Sequence, residues 1–119
     1  MQFRKVYRVT TFVPPEKVDA VIKSIVAVDP LGHGHYDRVC WRSSGGVEQF
    51  RPLEGADPTY GKIGEVAHSS TVRLEFVLPL NPETLRRVLE LGLFPAHPWE
   101  EPAVFIDETT TTVTSREKT

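Results

Sequence analysis

Cysteine is almost missing from this chain. Cys40 is the only one in 119 residues, so no internal disulfide can form. That agrees with a reducing cytoplasm, the expected location. A lone thiol between Val39 and Trp41, with no activating partner in view, reads as a small strand residue rather than a nucleophile. An excess of one charge is missing too. Fourteen Lys and Arg against sixteen Asp and Glu leave a net charge of -2. Nucleic acid and anionic membranes demand a basic patch, so neither is expected as a partner. No apolar run approaches the length of a membrane span. The charges in MQFRKVYRVTTF break the apolar stretch that a signal peptide needs.

What is present is an ordinary globular composition, 39% hydrophobic and 25% charged, at a length that suits one domain over residues 1–119. Residues 3–12 read as a first strand, rich in Val, Thr and aromatics. Pro14 and Pro15 end it and open a helix, in which Val18, Val21, Ile22, Ile25 and Val26 share one face until Asp29-Pro30. His35, Asp37, Val39 and Trp41 alternate with Tyr36, Arg38, Cys40 and Arg42, which predicts a strand. Ser44-Gly45-Gly46 predicts a hairpin turn, and residues 47–51 the returning strand. Residues 52–64 form an ordered loop. Residues 72–78 are a strand with Leu74, Phe76 and Leu78 on one face. Asn81 caps a second helix with Pro82 in its first turn and Leu85, Val88, Leu89 and Gly92 inward. Residues 104–113 are the last strand. The order predicts an α+β fold: a ferredoxin-like antiparallel sheet, two helices on one face, and an elongated middle hairpin.

Two glycine patterns fall short of nucleotide motifs. Gly32-His33-Gly34 lacks the third glycine, where Asp37 stands, and precedes a strand instead of a helix. Gly55 to Lys62 has one residue too many between its glycines, and Ile63 replaces the required Ser or Thr. A divalent metal is the candidate cofactor, with His33, His35 and His97 as ligands and Asp37, Glu100 and Glu101 nearby in type, although no spacing matches a zinc signature. The alternative is that these groups bond backbone and water. Glu100 and Glu101 are adjacent in an extended segment and point to opposite faces, so they cannot act as a facing dyad.

Four motifs in order carry a resemblance. Gly32-x-Gly34-x-Tyr36-Asp37, Phe50-Arg51-Pro52-Leu53-Glu54-Gly55-Ala56-Asp57-Pro58, Gly61-x-x-Gly64 and Ala96-His97-Pro98-Trp99-Glu100-Glu101-Pro102-Ala103 look like the YqfO-type domain of the Nif-three-like family. The resemblance runs from about Val6 to Ile106. The His-Pro-aromatic-Glu element is also similar to that of CutA proteins, whose fold is the trimeric, ferredoxin-like PII type. Trp99 stands where the family motif has tyrosine, so any role of that hydroxyl does not carry over. The family's dinuclear metal site belongs to a flanking domain for which this chain has no room. Dinuclear metal hydrolase or GTP cyclohydrolase activity is therefore not expected.

The resulting expectation is a non-catalytic oligomeric binding or regulatory module, a trimer first and a dimer second. Its ligand or interface residues are Gly32, Gly34, Tyr36, Asp37, His97, Trp99, Glu100 and Glu101. The alternatives are a CutA-like metal protein using His33, His35 and His97, and an enzyme with an inter-subunit site around His97 and Glu101.

Overall fold

The structure, a computed structural model, describes residues 1–114. Strand β1 (Gln2–Val13) leads through a short 3-10 turn into helix α1 (Val18–Val26). A long irregular segment follows, then β2 (Trp41–Arg42), β3 (Gly46–Phe50) and β4 (Ala67–Pro79). The second helical stretch has three parts: α2 (Pro82–Arg87), a π-helical segment (Val88–Leu93) and a closing turn α3 (Phe94–Ala96). Strand β5 (Val104–Val113) ends the described chain.

The sheet is antiparallel, in the order β2-β4-β1-β5, with β3 also on β4. Val6 to Val13 pair with Pro79 to Val72, while Gln2 to Thr11 pair with Val113 to Val104. Val9 and Val13 of β1 and Leu74, Phe76 and Leu78 of β4 meet Val21 and Ile25 of α1 and Val88 and Leu93 of the second helical stretch, all buried. These are the periodic positions the sequence marks: every second residue in the strands and every third or fourth in α1. The α+β class and the helix-covered face are as expected.

The middle of the sheet differs from expectation in two ways. Residues 35–40 are not strand, because Leu31 and Arg38 take left-handed conformations (φ 53° and 55°) that turn the chain. Bonds from Arg38 N–H to Pro30 O (2.7 Å) and from Val39 N–H to Leu31 O (3.0 Å) close this segment on itself. Nor do β2 and β3 pair with each other. Both lie along β4, with Trp41 opposite Glu75 and Val47 opposite Ser70. The elongated hairpin is therefore β3 and the first half of β4, joined by residues 51–66, rather than residues 39–51.

Asn81 caps α2 as predicted, its Oδ1 accepting from the N–H groups of Glu83 (3.0 Å) and Thr84 (3.2 Å). The π-helical widening has a covalent cause. Pro95 has no N–H and its ring would strike the preceding turn of a regular α-helix. The chain instead uses an i to i−5 bond, from Phe94 N–H to Leu89 O. At this turn α1 comes very close: a Cβ on Gly92 would lie 3.1 Å from Ile25 Cα. The Ser24 hydroxyl donates to Gly92 O at 2.7 Å. No helix among the described residues is long and apolar enough to cross a membrane.

Candidate functional site

His97 follows directly on α3 and is the one buried side chain of the Ala96–Ala103 motif, 7% exposed. Its Nε2–H donates to Phe12 O at 2.7 Å, and its Nδ1 accepts from Trp99 N–H at 3.1 Å. A carbonyl can only accept and a backbone N–H can only donate, so this pair of bonds defines one neutral tautomer. Burial holds the imidazole below its ordinary value of 6.5, against a smaller opposing effect of the Phe12 bond. The ring thus staples the start of the motif to the end of β1. Thr11, fully buried, does the same for the motif's other end by donating to Ala103 O at 2.8 Å.

Between these staples the motif bows outward against the 51–66 loop. The Thr59 hydroxyl donates to Pro98 O at 2.7 Å, and Glu100 Oε1 accepts from Asp57 N–H at 3.1 Å. Trp99, half-buried, meets Phe50 edge-on with ring centres 4.9 Å apart, and Phe50 meets Tyr60 at 6.3 Å. Gly61 makes this packing possible. It has φ +92°, and a Cβ there would lie 3.2 Å from Ala67 Cβ and 3.4 Å from the Phe50 ring. Two motifs distant in sequence thus build one place.

That place is a cleft of about 250 Å³ on the sheet face opposite the helices. Phe12, Phe50, Tyr60 and Trp99 give it aromatic walls, and Glu48, Arg51, Glu100 and Glu101 supply the charges. Burial pushes the Glu48 carboxyl up, partly offset by a hydrogen bond to Thr71. Sequence reasoning marked His97, Trp99, Glu100 and Glu101 but missed Glu48, Phe12 and Tyr60. Alternation along β3 places Glu48 on the same face as Phe50, and that signal is readable only once the strand's limits are known.

The other predicted group lies elsewhere. Gly32 and His33 line a different cleft, with Arg4, Trp41 and Glu75. His33 and Tyr36 exchange backbone bonds of 2.7 and 3.0 Å across the turn that contains Gly34 (φ 58°) and His35. Tyr36 is 76% exposed, and Asp37 pairs with Arg38 at 3.1 Å. Among the described residues, no group of three or more His, Cys, Asp and Glu converges to hold a metal ion. The set His33, His35 and His97 is therefore not assembled within one chain.

No family model matches the chain. The GTP cyclohydrolase 1 type 2 homolog of Bacillus subtilis (strain 168) is 33% identical over 90 residues, which make up 75% of this chain and 23% of that protein. The crystal structure of a Bacillus cereus protein related to NIF3 superposes with a TM-score of 0.72 at 25% identity, over 92% of this chain and 27% of that one. CPII, a nitrogen regulatory PII-like protein from Thiomonas intermedia K12, shares the fold at a TM-score of 0.52 and 10% identity, over 93% and 97% of the two chains. The chain spans about a quarter of the length of the curated relatives it matches. It is thus a homologue of a quarter-length segment of these NIF3-related proteins, the YqfO-type domain that its motifs resemble, and it carries that domain in a PII-like fold.

Proposed function

We propose that this protein is a non-catalytic, cytoplasmic binding module that works as a homo-oligomer and takes a small ligand in the cleft between the 51–66 loop and the His97–Ala103 motif. The observation that carries this reading is the cleft itself, an aromatic-walled concavity built by two of the motifs that define the resemblance. Its one buried titratable ring argues against catalysis. Both nitrogens of His97 are bonded to backbone, which leaves neither a free lone pair nor a free proton for a substrate. The activity in the name of the Bacillus subtilis relative is not assigned to this chain, which matches under a quarter of that protein.

The test is native mass spectrometry of untagged protein, wild type and Trp99→Ala. The reading expects an oligomer that retains a small molecule in the wild type and loses it in the variant. A ligand-free monomer in both samples overturns it. A retained metal ion lost in His33→Ala and His97→Ala alike would put the metal protein in its place.

A further inference from the structure

Resting on the reading of this cleft as a binding site, we propose that its ligand is a small organic cation, held against the Phe50 and Trp99 rings with its charge toward Glu48. Three features of the cleft carry the assignment. The first is its walls. Phe50 stands edge-on to both Trp99 (4.9 Å, 67°) and Tyr60 (6.3 Å, 64°), so the rings make a corner instead of a stack. Edge-to-face rings cannot stack their faces on one another, and a ring face left open carries the negative potential that attracts a cation. The second is its charge. Three carboxylates, Glu48, Glu100 and Glu101, face one guanidinium, Arg51. His97 adds no positive charge, because its bonds to Phe12 O and Trp99 N–H require the neutral ring. A phosphate or carboxylate ligand would enter against this balance, whereas a cation gains from both rings and carboxylates.

The third is size and geometry. About 250 Å³ lies just below the range of drug-sized sites, roughly 300–1,000 Å³, and favours a compact ligand over a nucleotide. Glu100 is already engaged by Asp57 N–H at 3.1 Å. Glu48, on the strand face beside Phe50, also has a hydrogen bond to Thr71, but it is half-buried where Glu100 and Glu101 are exposed, and so is the carboxylate best screened from water to pair with a bound cation.

Three probes of one shape separate the possibilities: choline, its neutral isostere 3,3-dimethylbutan-1-ol, and the anion 3,3-dimethylbutanoate. Titration calorimetry on the full chain is expected to show choline binding at least about tenfold tighter than the neutral probe, the scale of a desolvated cation–π contact with a nearby carboxylate. The anion is expected not to bind. Glu48→Gln should reduce the preference for choline to within about threefold of the neutral probe. Trp99→Leu should weaken both choline and the neutral probe, with circular dichroism verifying that each variant is folded. Equal affinity for all three probes, preference for the anion, no choline binding at millimolar concentration, or choline binding unchanged in both variants overturns the cation. If native mass spectrometry still shows a ligand lost in Trp99→Ala, that result sinks the cation alone and leaves the binding module standing. If no ligand is retained there either, both readings fall together.

Discussion

His97 shows how a motif residue that looks like chemistry can be architecture. Its ring replaces two hydrogen bonds that β1 and the motif would otherwise leave unmade in a water-poor place. His97→Ala strands the Phe12 carbonyl and the Trp99 N–H and should cost about 1–3 kcal/mol in a denaturant melt at neutral pH. The same substitution should change the pH profile. A folded-state value held below the unfolded one means that the unfolded chain binds more protons, so stability is present above about pH 6.5 and is lost as pH falls. Wild type should therefore weaken between about pH 7 and pH 5, and His97→Ala should weaken less over that window. Parallel profiles in the two proteins would show that the ring protonates as freely folded as unfolded. Trp99 is half-buried and lies outside the core. Truncation to alanine should then cost about 1–3 kcal/mol, below the 3–5 typical of buried aromatics. Cys40 packs partly against the core, and burial raises its thiol value against a smaller opposing effect of Arg42. It should react slowly with a thiol reagent in the native protein and rapidly after denaturation. Fast native labelling would revive a reactive role.

Elements whose signals are local were legible in the sequence, and those set by distant pairing were not. The valine and isoleucine spacing of α1 and the Asn81-Pro82 start of α2 are contained within a few residues, and both elements form where read. The first half of β4 is polar on both sides, Ala67-His68-Ser69-Ser70, and offers no alternation to detect. It is strand because β3 lies beside it, with Gln49 and His68 opposite each other and bonded at 3.0 Å. The reverse error befell residues 35–40, whose alternation is genuine but is cut by the left-handed turn at Arg38. The cleft was half legible for the same reason: its motif side is a continuous string, while its Phe12 and Glu48 side depends on sheet register. Helix packing supplies a prediction at this scale. Gly92→Ala places a methyl 3.1 Å from the backbone of α1, which cannot yield like a side-chain tip. Overpacking of this kind should cost about 1–3 kcal/mol, although alanine is the better helix former by about 1 kcal/mol. A neutral or stabilised melt for Gly92→Ala would mean that the two helical stretches separate easily.

At the scale of the whole molecule, the shape follows from strands that outrun the core. The chain measures 54 × 29 × 23 Å, with the β1–β5 ribbon extending beyond the helix-covered layer at one end and the β3–β4 hairpin at the other. Beyond the cleft, where the 51–66 loop and the His97–Ala103 motif meet it, the sheet face away from the helices carries exposed aromatics. Directly opposed residues share a face, so Trp41, Glu75, Thr10 and Phe105 form one row across β2, β4, β1 and β5. Trp41 is 52% and Phe105 60% exposed, and the Phe105 ring meets Phe12 edge-on at 6.5 Å. Single exposed apolar residues are normal, but aromatics set along one sheet face beside an unpaired edge strand call for a partner surface. On the proposed homo-oligomer a second copy would supply one, with the Arg8–Asp107 pair and the Arg73 guanidinium over Trp41 as polar groups on the same face. A stable interface takes about 800 Å² from each partner, and the aromatic row is the apolar part of this face that its centre would use. Phe105→Glu should therefore shift the assembly toward monomer in light scattering at micromolar concentration, with the wild type remaining oligomeric. Its cost to the fold of each chain should be small, because the side chain already faces water there. A wild type that scatters as a monomer overturns the assembly outright, and an oligomer untouched by Phe105→Glu moves its interface off this face.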